Sequence, residues 1–191
     1  RVGELWVNRQ ALVEAPDGPA AHLVADARHR GTRVVHPPAL CGRPRRFGAA
    51  RVDVLAPCPG YDAGLDALDD SLALRVTLGR HRLLFTGDAE GAGEARLAPL
   101  PDLRADVLQV GHHGSDTSTT PAFLDAVRPR LAVASAGLRN RYGHPSPRVL
   151  ARLRSAGARV LRTDRMGGVT LETDGRRLRW RTWSGAEGAL R

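Results

Sequence analysis

Three apolar runs, each broken by a short polar signature, constrain this chain more than any other feature. Residues 81–85 give way to Thr86-Gly87-Asp88, and residues 105–110 run into Gly111-His112-His113-Gly114-Ser115. Residues 131–135 open into the loop carrying Asn140-Arg141-Tyr142-Gly143-His144-Pro145. Short apolar runs bounded by glycine and polar residues predict buried strands, and each signature then sits at a strand end. Between the signatures lie patterns with helical spacing. One covers residues 90–97 with acid at its start; another carries Phe123, Leu124 and Val127 behind Pro121, with Ser118 or Thr119 as cap. Alternating strand and helix in a layered α/β domain returns the signatures to one sheet edge.

The chemistry of those signatures points to a metal. Asp88 follows a buried strand and a glycine, so it emerges at the edge, where a carboxylate can bridge two metal ions. Adjacent histidines at a strand end point in different directions. One of His112 and His113 can ligate metal while the other hydrogen-bonds a substrate oxygen or moves a proton. His144, between Gly143 and Pro145, has its ring direction fixed by a rigid loop. One carboxylate and three imidazoles form a set that binds a divalent cation, as in part of a metal-dependent hydrolase site. The other histidines read differently: His22, His29 and His36 have no ligand-spaced partners, and His81, beside the Gly79-Arg80 turn, is expected to be exposed.

The rest of the chain frames this region. Residues 4–8 predict a strand, 20–30 a helix stopping at Gly31, 32–36 a strand, 41–49 a basic loop, and 51–57 another strand. Residues 57–68 read as a surface loop, and 71–78 alternate as a strand that turns into 81–85 as a hairpin. Downstream, 147–156 predict a helix stopped by Gly157, 160–164 a strand with a polar end, and 169–173 pair with 178–183 across Asp174-Gly175.

With 191 residues the chain suits a single domain over 1–191. No apolar run approaches the ~20 residues of a membrane-spanning helix. The net charge of +9 is carried by arginine, since the sequence has no lysine. It fits a polyanionic partner such as DNA, although an arginine-only, Ala/Gly/Pro-rich chain also fits a compositional bias of the coding sequence. Cys41 and Cys58 allow one disulfide or two buried thiols. The chain does not begin with Met, and Arg1-Val2-Gly3-Glu4-Leu5-Trp6 reads as the approach to a strand, so a piece of a longer protein is expected.

Residues 84–90, 105–115 and 140–145 together resemble the metallo-β-lactamase-fold hydrolase domain of ComEC-type DNA-internalisation competence proteins, over about 71–164 and more weakly beyond. The resemblance implies an αββα sandwich, of α/β (α+β) class and incomplete at its N-terminus, with two divalent metal ions, zinc or manganese. It implies hydrolysis of a phosphodiester, in such proteins one DNA strand during uptake, next to a membrane-embedded channel part of the same protein. Position by position, it makes Asp88 the bridging ligand and a catalytic group, with His144 and one of His112 and His113 completing the metal shell. The other histidine, catalytic if it is His113, would line the substrate side with Ser115, Asn140 and Tyr142; Thr163 and Asp164 match a family pattern near the site.

Two departures stand out. The superfamily's His-x-His-x-Asp-His motif is absent from the 191 residues and is expected just upstream of them. Leu68-Asp69-Asp70 also replaces an asparagine-rich stretch. The same signatures occur in phosphorylcholine esterases, which keeps a small-molecule phosphoesterase or lactonase as an alternative, alongside a metal-dead domain that is structural or only binds DNA or a membrane partner through its arginines.

Overall fold

The computed structural model describes residues 2–8 and 10–190; Arg1, where the expected approach to the first strand begins, lies outside the described residues. The first part runs β1 (Glu4–Trp6), α1 (Gln10–Glu14), α2 (Pro19–His29) and β2 (Arg33–Val35). Next come β3 (Arg45–Phe47), β4 (Ala50–Ala56), β5 (Ala73–Leu78), β6 (His81–Phe85), α3 (Gly91–Leu97) and β7 (Val107–Gln109). After a tight turn at Gly111–Gly114 follow α4 (Pro121–Val127), β8 (Leu131–Ala134), α5 (Pro147–Ser155) and β9 (Arg159–Arg162). The chain ends with the helical turn α6 (Thr163–Met166), then β10 (Val169–Thr173), β11 (Leu178–Thr182) and β12 (Glu187–Leu190).

Seven strands form the central sheet in the order β3-β4-β5-β6-β7-β8-β9. Neighbours from β3 to β6 are antiparallel, and neighbours from β6 to β9 are parallel. The parallel half follows from the strand–helix alternation, because each helix carries the chain back over one face before the next strand begins. Period-two alternation sorts the side chains. Leu84, Leu108, Val110, Ala132 and Ala134 face the helices and pack with Phe123, Leu124, Val149 and Leu153. Leu83, Val107, Leu131, Val133 and Leu161 face the other way, against Val169, Leu171, Leu178 and Trp180 of the three-stranded sheet β10-β11-β12. Each such large apolar side chain taken from water contributes roughly 1.5–3 kcal/mol. The parallel pair β1–β2 adds a second small sheet, with Trp6 and Val35 packed on Val54 and Leu74 and with α2 against β2. Helices, two layers of strand and an outer helix make the expected mixed α/β sandwich.

Several local expectations are corrected. The basic loop at 41–49 contains β3, which pairs with β4 because Arg45, Arg46 and Phe47 continue the sheet across a tight turn. The cap of α4 is Thr120, whose hydroxyl accepts from the Phe123 N–H. Ser118 lies earlier in the turn, its hydroxyl proton shared between the carbonyls of Gly111 and Ser115 at 2.8 and 2.9 Å. β9 ends at Arg162 and the chain turns helically at Thr163 instead of extending to Asp164. His81 is 2% exposed, not on the surface, because the turn at Gly175 packs onto the turn at Gly79 and covers it. Cys41 and Cys58 are joined in a disulfide.

Candidate active site

The register places Leu83, Val107 and Leu131 side by side, so β6, β7 and β8 end at one sheet edge and deliver all three signatures there. Side chains and backbone then knit the turns together. The Thr86 N–H donates to Oε1 of Gln109 at 3.1 Å, and the His112 N–H donates to the Gly87 carbonyl at 3.2 Å. The Asp88 N–H donates to the Ser71 hydroxyl at 3.1 Å. Asp69, in the stretch that departs from the family pattern, caps α3 by accepting from the N–H groups of Glu90 and Gly93 at 2.9 and 2.7 Å. Gly114 is needed for close approach: its φ is +87°, and a Cβ there would lie 2.5 Å from Cβ of Pro145.

His112 and His113 both adopt left-handed backbone, with φ of 44° and 56°. Non-glycine residues held this way cost of order 1–3 kcal/mol each and persist where surrounding structure over-determines them. The two rings are also oriented. Nδ1 of His112 lies 2.7 Å from Oε1 of Glu90, which also accepts from the Thr117 hydroxyl. Nδ1 of His113 donates to the Ser135 carbonyl at 2.7 Å. Both contacts leave Nε2 as the free ring edge, the arrangement that second-shell partners impose on metal-ligating histidines. Nε2 of His113 faces Oδ1 of Asp88 at 3.7 Å.

The third imidazole comes from the loop after β8. Asn140 shapes it, donating from Nδ2 to the carbonyls of His144 and Gly137 at 2.6 and 3.0 Å and accepting the His144 N–H at 3.0 Å. The His144 ring stacks on Tyr142 at 5.8 Å between centroids and stands edge-on to His112 at the same separation. Its Nδ1 is buried without a hydrogen-bond partner. Burial, then the nearby His112 and His113, hold its pKa below the usual histidine value, so the ring favours the neutral form.

These groups border a cleft of about 430 Å³ lined by His113, Ser135, Ala136, Asn140, Tyr142 and His144. Of the residues expected on its substrate side, Asn140 and Tyr142 are in place. Tyr142 is exposed, with the Arg141 guanidinium 4.9 Å above its ring. Three others stand behind the surface. The Ser115 hydroxyl is engaged with that of Thr117 at 2.7 Å. The Thr163 hydroxyl locks the wall through the N–H and carbonyl of Ala136, both at 2.8 Å. Asp164 forms a two-point pair with Arg162 at 3.0 and 2.6 Å, which holds its carboxyl below the usual range.

Imidazole edges, a carboxylate and an orphaned buried ring nitrogen suit a divalent cation in type. Among the described residues, however, no group of three or more His, Cys, Asp or Glu side chains converges as a metal cluster. The donors fit as part of a ligand set. In the sequence Glu90 reads only as acid at a helix start, and nothing marks the Ser135 carbonyl. The proximity of Glu90 to Asp88 in sequence was the available signal, whereas a backbone acceptor leaves no trace in residue type.

Residues 12–137 match the sequence family described as the Metallo-beta-lactamase superfamily. The chain is 43% identical over 102 residues to ComE operon protein 3 of Bacillus subtilis (strain 168), covering 53% of this chain and 13% of that protein. It is 42% identical over 113 residues to Competence protein ComA of Neisseria gonorrhoeae, covering 58% and 16% respectively. Recombination protein 2 of Haemophilus influenzae is 43% identical over 83 residues, covering 44% and 10%. The matched part of the chain thus spans at most 16% of the length of these relatives.

Proposed function

The chain belongs to the metallo-beta-lactamase superfamily, and from that membership we propose that it carries the downstream half of a metal-dependent hydrolase site that cleaves phosphodiesters, acting on a DNA strand during uptake. The observation that carries this reading is the paired locking of His112 by Glu90 and of His113 by Ser135, which leaves both Nε2 edges unclaimed by those partners and sets that of His113 3.7 Å from Asp88. Likeness to a competence protein supports DNA as the substrate. The whole domain, in this reading, includes a His-x-His-x-Asp-His motif outside the 191 residues and belongs to a larger, membrane-associated protein. Within this chain, no described helix is long and apolar enough to cross a membrane.

Asp88, His112 and His144 would be this chain's share of the residues holding two divalent ions, zinc or manganese. Such ions would supply polarisation of a phosphoryl oxygen and a nucleophile at neutral pH. His113 has Nε2 on the cleft side and can take the proton of the attacking water and pass it to the leaving alkoxide oxygen as the phosphorus–oxygen ester bond breaks. Tyr142, which stacks with His144 and carries the Arg141 guanidinium over its ring, brings an aromatic edge to the cleft, and Arg141 a positive charge to the phosphate. Ser115 steadies Thr117 and through it Glu90; Thr163, beside the Arg162-paired Asp164, holds the cleft wall.

The test is manganese- or zinc-dependent cleavage of a single-stranded oligodeoxynucleotide by a protein carrying this chain together with the His-x-His-x-Asp-His motif. Cleavage abolished by Asp88→Ala and by chelator is expected; unchanged cleavage in that variant would remove Asp88 from the mechanism. Binding of two metals per chain by the 191 residues alone would show the division of ligands to be wrong.

A further inference from the structure

The parallel strands carry a second concentration of charge at the end opposite the candidate active site. Arg82 lies in β6, Arg104 precedes β7, Arg130 precedes β8 and Arg159 opens β9, so every parallel strand enters the sheet beside an arginine. Backbone bonds link these entries across the sheet: the Asp106 N–H donates to the Arg82 carbonyl, Arg130 to Asp106, and Arg159 to Arg130, at 2.8–3.0 Å. With neighbouring strands ~4.8 Å apart, the row from β6 to β8 extends ~10 Å, and Arg159 continues it at β9 with its guanidinium over the Trp180 ring, 5.4 Å from the centroid.

Within this row Arg80, Arg82, Arg104, Arg128 and Arg130 line a cleft of about 260 Å³ whose one acidic lining residue is Asp106. That carboxylate accepts the backbone N–H of Arg82 at 2.9 Å and stands 3.9 Å from Arg130. Arg82 pairs with Asp102. Among the described residues, Arg80, Arg104 and Arg128 form no salt bridge with a carboxylate, and Arg104, Arg128 and Arg130 are exposed. Packing like charges together costs free energy that an anion would offset, and the planar guanidinium forks match phosphate oxygens.

The length of the row favours an extended polyanion over one phosphate, which could engage only one or two of the forks. No large apolar side chain lines the cleft, whereas a lipid surface is held by apolar anchors as well as charge. We propose that this arginine row is a second nucleic-acid site, remote from the hydrolytic cleft, which tracks the phosphodiester backbone of a strand without reading its bases. It does not depend on the hydrolase reading, because it requires neither metal nor cleavage.

The test measures binding of a fluorescein-labelled oligothymidylate by anisotropy, in EDTA, from 50 to 200 mM salt. Arg104→Ala/Arg130→Ala is compared with Arg28→Ala/Arg154→Ala, which removes the same charge from exposed positions elsewhere. Each phosphate contact on a single strand contributes about 0.7 to the salt slope. The first double variant should therefore lose ~1.4 of slope, making its fall in affinity over that range ~7-fold shallower, with the second keeping the wild-type slope. Circular dichroism spectra matching the wild type's would establish that both variants are folded. A wild-type slope in the first variant, or equal losses in both, overturns the assignment. So does displacement of the oligonucleotide by inorganic phosphate beyond the effect of matched ionic strength, which indicates a small-anion site. Arginine-dependent binding to phosphatidylserine vesicles without oligonucleotide binding overturns it in favour of a membrane surface.

Discussion

Nδ1 of His112 lies 2.7 Å from Oε1 of Glu90, so the turn after β6 supplies the carboxylate that aims a ring delivered by β7. Removing the negative charge while keeping the shape tests whether that contact serves a metal. Glu90→Gln is expected to lower zinc or manganese affinity ~10- to 100-fold, the usual effect of losing such an outer partner. Competition with a chromophoric chelator reads the change, and wild-type affinity would separate Glu90 from the metal site.

His81 shows a second tie, at the other end of the same strand. Its Nδ1 meets the Thr173 hydroxyl at 2.7 Å under the turn of the β10–β11 hairpin. Thr173→Val keeps the side chain's volume and leaves the buried ring nitrogen unpartnered. The expected loss is ~1–3 kcal/mol of stability, seen as a lower urea midpoint with an unchanged slope. No loss would mean that water or another group takes over the bond.

The same histidine marks where legibility in the sequence stops. Position beside Gly79-Arg80 correctly indicates a hairpin turn, but burial of His81 depends on a hairpin more than 90 residues downstream, with Thr173 as partner. The strands that lead to Asp88, His112 and Asn140 are legible because their apolar runs are local and followed by glycine. β3, α1 and β12 are not, since pairing with β4, packing and pairing with β11 decide them. At the site, residue types exposed the carboxylate and imidazoles. The tautomer locks at Glu90 and Ser135, and the retreat of Ser115 and Asp164 behind the surface, arise only when separate turns meet at one sheet edge.

Gly114 joins the histidine pair to the His144 loop. Its carbonyl accepts the Ser146 N–H at 2.8 Å while its α-carbon faces Pro145. Gly114→Ala adds a methyl group to a left-handed residue with no space for it, at a cost of roughly 1–3 kcal/mol. A lower melting temperature is expected, together with weaker metal binding as Pro145 and His144 shift. A fully stable variant would show that the loop yields to the methyl group.

Glu94 gives the stability a defined dependence on pH. Its carboxylate is fully buried beneath the turn after the histidine pair, accepting from the N–H groups of Thr119 and Thr120. Burial raises its pKa, outweighing those donors and the nearby Arg152. The folded state therefore holds this proton at pH values where the unfolded chain has released it, and the sign follows. The favourable contribution of the protonated form is full below the unfolded value near 4.5 and is lost as pH rises through the elevated folded value. Stability of the wild type relative to Glu94→Gln should decline across that window and level off above it. Urea denaturation of both proteins from mildly acidic to neutral pH measures the difference. A rise in relative stability with pH would show that the backbone donors outweigh burial.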